Sequence, residues 1–136
     1  MSNFEILSSA ADVRIKAWGA TRAGLLKSAL QGMFAAAGAH YVDGGAEQKR
    51  RFEIRGADFT ALLTAVLNQA LAVSAAQHEA YQDLSLELIT ESEIKGFFVG
   101  RPITEFKAQL KSVVAQELEI KRRDDEKWEA VVKFEV

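Results

Sequence analysis

Two runs of helical spacing, each opened by a capping side chain, interrupt what is otherwise a series of short strands. That change of period restricts the fold more than any other feature of the chain. Thr21 precedes a predicted helix over Arg22–Ala37, in which Leu25, Leu26, Ala29, Leu30, Met33 and Phe34 share a face and Gly38 is placed to end it. Asp58 opens a second, striped by Phe59, Leu62, Leu63, Val66, Leu67, Ala70 and Leu71 and fading near Ala75 or Ala76. Around them, Val13, Ile15 and Ala17 alternate with Arg14, Lys16 and Trp18 up to Gly19, the period of a half-buried strand. Further strands are expected over residues 4–8, 49–55, 85–89, 93–99, 110–121 and 128–134.

Residues 40–48, with Gly44-Gly45, read as a loop, and Pro102 marks a break after Gly100, with residues 104–107 a short helix or a loop. The expected fold is α+β in a single domain over residues 1–136: two helices packed on a mostly antiparallel or mixed sheet of about seven strands. A chain of 136 residues supports one core and not two.

Composition removes several functions. A net charge of −2 argues against coating nucleic acid or anionic membrane by bulk charge. Without cysteine there are no disulfides and no thiolate metal sites, which favours an intracellular location. No secretory pattern opens the sequence, and no apolar run is expected to span a bilayer, so the reading is a cytoplasmic, non-membrane protein. Neither a phosphate-binding glycine loop nor a nucleophile elbow is present, and His40 and His78 fall in segments after the helices. The basic groups Lys49-Arg50-Arg51 with Arg55, and Lys121-Arg122-Arg123, read as charged strand ends that discourage edge pairing, in preference to contact with phosphate or an acidic partner surface, since no aromatic residues interleave them for base stacking. Trp18 and Trp128 read as sheet packing.

What remains is oxygen chemistry at the chain ends. Glu135 stands one residue from the α-carboxylate of Val136; if Asp12 joins them, three carboxylates form a ligand set for a hard cation. Lys111, among Leu110, Val113 and Val114, either reaches solvent or pairs with that cluster.

Three segments together resemble the archease family. They are Asp12-Val13-Arg14-Ile15-Lys16-Ala17-Trp18-Gly19-Ala20-Thr21, preceded by Ala11; the helix from Asp58 through Leu62-Leu63 to Leu67-Asn68; and Leu110-Lys111-Ser112-Val113-Val114 followed by the terminal strand from Trp128 to Val136. The resemblance covers nearly the whole chain. It implies a non-enzymatic accessory protein of an RtcB-type RNA ligase in tRNA splicing, promoting guanylylation of the ligase and repeated turnover. It also implies a divalent cation (calcium, magnesium or manganese) held by the positions that here are Asp12, Glu135 and Val136, with Lys111 nearby. The ligase is the implied partner, with no stable direct nucleic-acid binding and no membrane.

The chain departs from the family pattern in having Ser9 and Gln116 where histidines are usual, and Glu135 where an aspartate is usual. The extra methylene of Glu135 moves its carboxylate by about 1.5 Å, which calcium's loose geometry absorbs better than magnesium's octahedron. The competing expectation is a metal-independent binding or chaperone-like module of the same fold, with Asp12 and Glu135 merely solvated or salt-bridged. A small enzyme ranks last, since no nucleophile or base is evident.

Overall fold

Helix α1 (Arg22–Ala37) is buried around most of its circumference because it lies between two antiparallel sheets. The structure, a computed structural model, describes residues 3–7 and 12–136. One sheet contains β1 (Phe4–Ile6), β2 (Val13–Gly19), β7 (Ser112–Val113), β8 (Glu119–Arg122) and β9 (Trp128–Glu135). Its order is β1-β2-β9-β7, with β8 also on β9. The other contains β3 (Ala39–Tyr41), β4 (Gln48–Arg55), β5 (Glu79–Ile89) and β6 (Glu93–Phe106), in which β6 pairs with each of the other three. Helix α2 (Phe59–Gln77) packs on β4, β5 and β6 and touches β7 of the first sheet. Among the described residues, two helices and nine strands make the α+β architecture expected from the period changes.

Local chemistry sets the helix ends. The Thr21 hydroxyl accepts from the Gly24 amide at 3.0 Å, and the Asp58 carboxylate from that of Ala61 at 2.8 Å. Helix α1 ends at Gly38, whose φ of 65° lets its amide donate to Phe34 and Ala35. A β-carbon there would lie 2.8 Å from Cβ of Lys107. Gly38→Ala is therefore expected to cost about 1–2 kcal/mol, the penalty of a left-handed non-glycine residue, before any clash with Lys107. A denaturant midpoint equal to wild type would refute that. At the other end of the helix, a Cβ on Gly19 would lie 2.5 Å from the Leu25 nitrogen, so β2 meets α1 backbone to backbone.

Several boundaries differ from the sequence reading, each for a physical reason. His40 and Tyr41, expected to be loop, lie on β3 along the far half of β6. Strand β5 begins at Glu79 rather than Ser85; its register shifts between Tyr81 and Asp83 and again between Leu86 and Leu88, which breaks the alternation that marks a strand. Strand β6 continues through Pro102. The β4 ladder ends at Gln48↔Gly100 and the β3 ladder resumes at Tyr41↔Ile103, so Pro102 sits in the gap, where its missing N–H is not needed on that side. The span 110–121 is broken by one 3₁₀ turn, Ala115–Glu117, between β7 and β8.

Helix α2 also corrects the membrane reading. Its 19 residues carry no charge, and by length and composition alone it could cross a bilayer. Its stripe of Leu62, Leu63, Val66, Leu67 and Ala70 is nonetheless fully buried in the core, while Thr60, Gln69 and Ala72 on the other side are exposed, the pattern of an amphipathic helix packed on one face.

Candidate functional site

The antiparallel β2–β9 ladder brings the start of β2 to the end of β9. Register runs Gly19↔Trp128 through Val13↔Phe134, so Asp12 and Glu135 stand one position beyond the final pair. Burial alternates along both strands: Ile15, Ala17, Val132 and Phe134 point into the core. Arg14 and Lys133, directly opposed, therefore lie on the outer face.

Four charged side chains meet there. Asp12 Oδ2 is 3.3 Å from Arg14 Nε and 4.0 Å from Lys133 Nζ. Glu117, on the 3₁₀ turn, lies 3.7 Å from Arg14 Nη2 and 3.1 Å from Lys133 Nζ. Of this group the sequence reading singled out Asp12 alone. Arg14 was legible as an outward strand residue, but Glu117 lay inside a span read as continuous strand and carried no signal.

Glu135 is held by its neighbours on β7. Its carbonyl accepts from the Lys111 amide at 2.8 Å, and Ser112 Oγ donates to its carboxylate at 3.5 Å. Strand β7 is itself pinned by α2, since Asn68 Oδ1 accepts from the Val113 amide at 2.8 Å. Asn68 thus positions the end of β9 from the core side. Lys111 contributes its backbone, and among the described residues its ammonium makes no ion pair. Val136 is 56% exposed. Gln116 is exposed on the 3₁₀ turn, and Ser9 lies outside the described residues.

The register thus places Asp12, Glu135 and Val136 at one sheet corner. Their donors are all carboxylate oxygens, which suits a hard cation. Among the described residues no three His, Cys, Asp or Glu side chains gather to hold a metal. A three-carboxylate set at this corner therefore requires the backbone carboxylate of Val136, and Asp12 must exchange Arg14 and Lys133 for the ion. Among the described ion pairs at this corner, Asp12 and Glu117 face Arg14 and Lys133.

The three arginines of the first basic cluster are engaged in structural pairs. Arg50 makes a bidentate pair with Glu79 at 2.9 and 2.7 Å, and the Tyr81 hydroxyl donates to the same carboxylate at 2.8 Å. The Arg50 hydrogen bonds hold the Glu79 carboxyl below its ordinary range; burial, followed by the bond to Glu79, pushes the Tyr81 phenol up. Arg51 pairs with Glu53 and Glu87, and Arg55 with Glu93. His40 lies on β3, and His78 is the left-handed cap of α2; both are exposed.

Residues 4–136 match the model of the Archease protein family (MTH1598/TM1083). No curated protein matches the sequence. Among solved structures, the chain is similar to protein 1598 of Methanobacterium thermoautotrophicum, with 21% identity, a TM-score of 0.77 and full coverage of both chains. It is also similar to an archease from Thermotoga maritima, described as a possible chaperone, with 13% identity, a TM-score of 0.66, and 97% and 96% of the two chains covered.

Proposed function

Because the chain belongs to the archease family, we propose that it is a cytoplasmic, non-enzymatic activator of an RtcB-type RNA ligase, and that Asp12, Glu135 and the α-carboxylate of Val136 hold a divalent cation. The observation that carries this reading is the β2–β9 register, which sets Asp12 and Glu135 beside each other at the chain ends. A bound cation would supply positive charge for a phosphate-bearing centre of the partner. The protein's own residues do the rest. Strand β7 and Asn68 hold Glu135 in place, while Arg14 and Lys133 neutralise Asp12 until the ion arrives and can then turn to Glu117. Exposure of Val136 leaves the corner open to a partner.

The ion pairs of Asp12 with Arg14 and Lys133 are what favour a second reading, a metal-independent chaperone-like module in which those pairs are permanent. Ligase turnover separates the two. On the first reading, wild-type protein raises the number of joining rounds that an RtcB-type ligase completes, and Asp12→Ala abolishes the gain. Stimulation that Asp12→Ala leaves intact would discard the cation role, and no stimulation by wild type would discard the ligase as partner.

A further inference from the structure

The second basic cluster is also paired, Arg122 to the Glu126 carbonyl at 3.0 Å and Arg123 to Asp125 at 3.4 Å, but it borders an aromatic side chain. Across the outer face of the five-stranded sheet runs a groove of about 640 Å³, at the opposite end of the β2–β9 ladder from Asp12. Its floor is one cross-strand row: Trp18 on β2, Glu129 on β9 and Lys121 on β8 stand in register. Lys16 flanks Trp18 on the same face, and Arg123 overhangs from the β8–β9 turn. The fold thus supplies the aromatic neighbour that the Lys121-Arg122-Arg123 run lacks in sequence. Asp124 and Asp125 at the rim and Glu5 at the edge balance the cations, so the groove offers no bulk field for a polyanion. A ligand suited to it carries hydrogen-bond donors as well as negative charge.

Glu129 narrows the choice. Its side chain is 9% exposed, with Lys121 Nζ at 3.5 Å and Arg123 Nη1 at 3.9 Å. Among the described residues neither contact reaches hydrogen-bond geometry, so this nearly buried carboxylate retains acceptor capacity beside an indole. The Arg123 guanidinium carbon lies 5.9 Å from the Trp18 ring centre. A planar base stacked on both faces needs about 7 Å, two contacts of about 3.5 Å, so a shift of roughly 1 Å by a turn side chain admits it.

We propose that this groove binds a guanine base carrying a phosphate. The base stacks between Trp18 and Arg123, its N1–H and 2-amino group donate to Glu129, and Lys16 and Lys121 meet the phosphate. Guanine presents two parallel donors to an acceptor-only carboxylate; adenine places a ring acceptor there, and uracil and cytosine offer one donor beside acceptors. The phosphate-bearing guanosine is either a free nucleotide or the end of an RNA strand. This site is independent of the proposed cation corner and of the ligase.

Tryptophan fluorescence tests it, because Trp18 is on the groove and Trp128 faces the helices, against Phe59. Titrating the full chain with GMP is expected to quench emission, with AMP roughly tenfold weaker or worse, the discrimination typical of a bidentate base contact. Trp18→Phe should lose the quenching, and Glu129→Gln should bind GMP and AMP alike. Lys16→Ala should weaken GMP several-fold while leaving guanosine unchanged, a readout that stands even if Glu129→Gln disturbs the sheet. A short single-stranded RNA with a terminal guanosine binding more tightly than GMP would identify RNA as the source; equal binding would identify the nucleotide. Equal quenching by GMP and AMP in wild type, or quenching that survives Trp18→Phe, would overturn the proposal.

Discussion

Glu79→Gln is expected to lower the unfolding free energy by about 3 kcal/mol, the cost of removing the charge from a buried carboxylate that accepts charge-assisted hydrogen bonds from a half-buried arginine. For a chain of this size that moves the melting temperature down by about 10 °C. Glu79 is 3% exposed at the start of β5, and three hydrogen bonds converge on its carboxylate, two from Arg50 on β4 and one from Tyr81. Its carbonyl also accepts from Ser74 near the end of α2, so the residue ties a helix terminus to two strands. Glutamine keeps the shape but loses the charge and places a donor against donors.

The same network sets a pH dependence. Because the Arg50 hydrogen bonds lower the folded-state pKa of Glu79, its contribution is complete above the ordinary carboxylate value and declines as pH falls through that value toward the depressed folded one. Wild type should therefore lose stability over this acidic interval more steeply than Glu79→Gln. Thermal melts of both proteins from neutral to acidic pH check this; matching curves would show that the network contributes nothing net.

The helices were legible in the sequence because each cap and each stripe is local. Thr21, Asp58 and Gly38 act through bonds to residues three or four positions away. Strand β2 was legible for a similar reason, its alternation being unbroken over seven residues. The first half of β5 was not, because Glu79 and Asp83 look solvent-facing until Arg50, distant in sequence, is seen to bury the first of them. The continuation of β6 through Pro102 depends on two different partner strands changing over at that point, which no local signal announces. At the candidate site, the three carboxylate positions could be named from the chain ends and from the family resemblance. The roles of Arg14, Lys133, Glu117 and Asn68 could not, since they exist only once β9 lies between β2 and β7.

Asp12→Ala is expected to reduce affinity for a divalent cation by at least about a hundredfold, since it removes one of three anionic donors from a site whose strength follows ligand charge. The same change frees Arg14 and Lys133 from one of their two acidic partners, leaving both to Glu117, so the corner becomes less negative as well as short of a donor. Raising cation concentration should stabilise wild type by mass action and leave the variant unmoved. Manganese added to isotope-labelled protein tests the meeting of the chain ends most directly, because a bound paramagnetic ion broadens only the amide signals near it. Selective broadening of residues 12–14, 133–136 and their neighbours 111–117, abolished in Asp12→Ala, is the predicted result. Broadening centred elsewhere, such as the acidic turn at Asp124–Glu126, or a pattern that Asp12→Ala leaves unchanged, would contradict it.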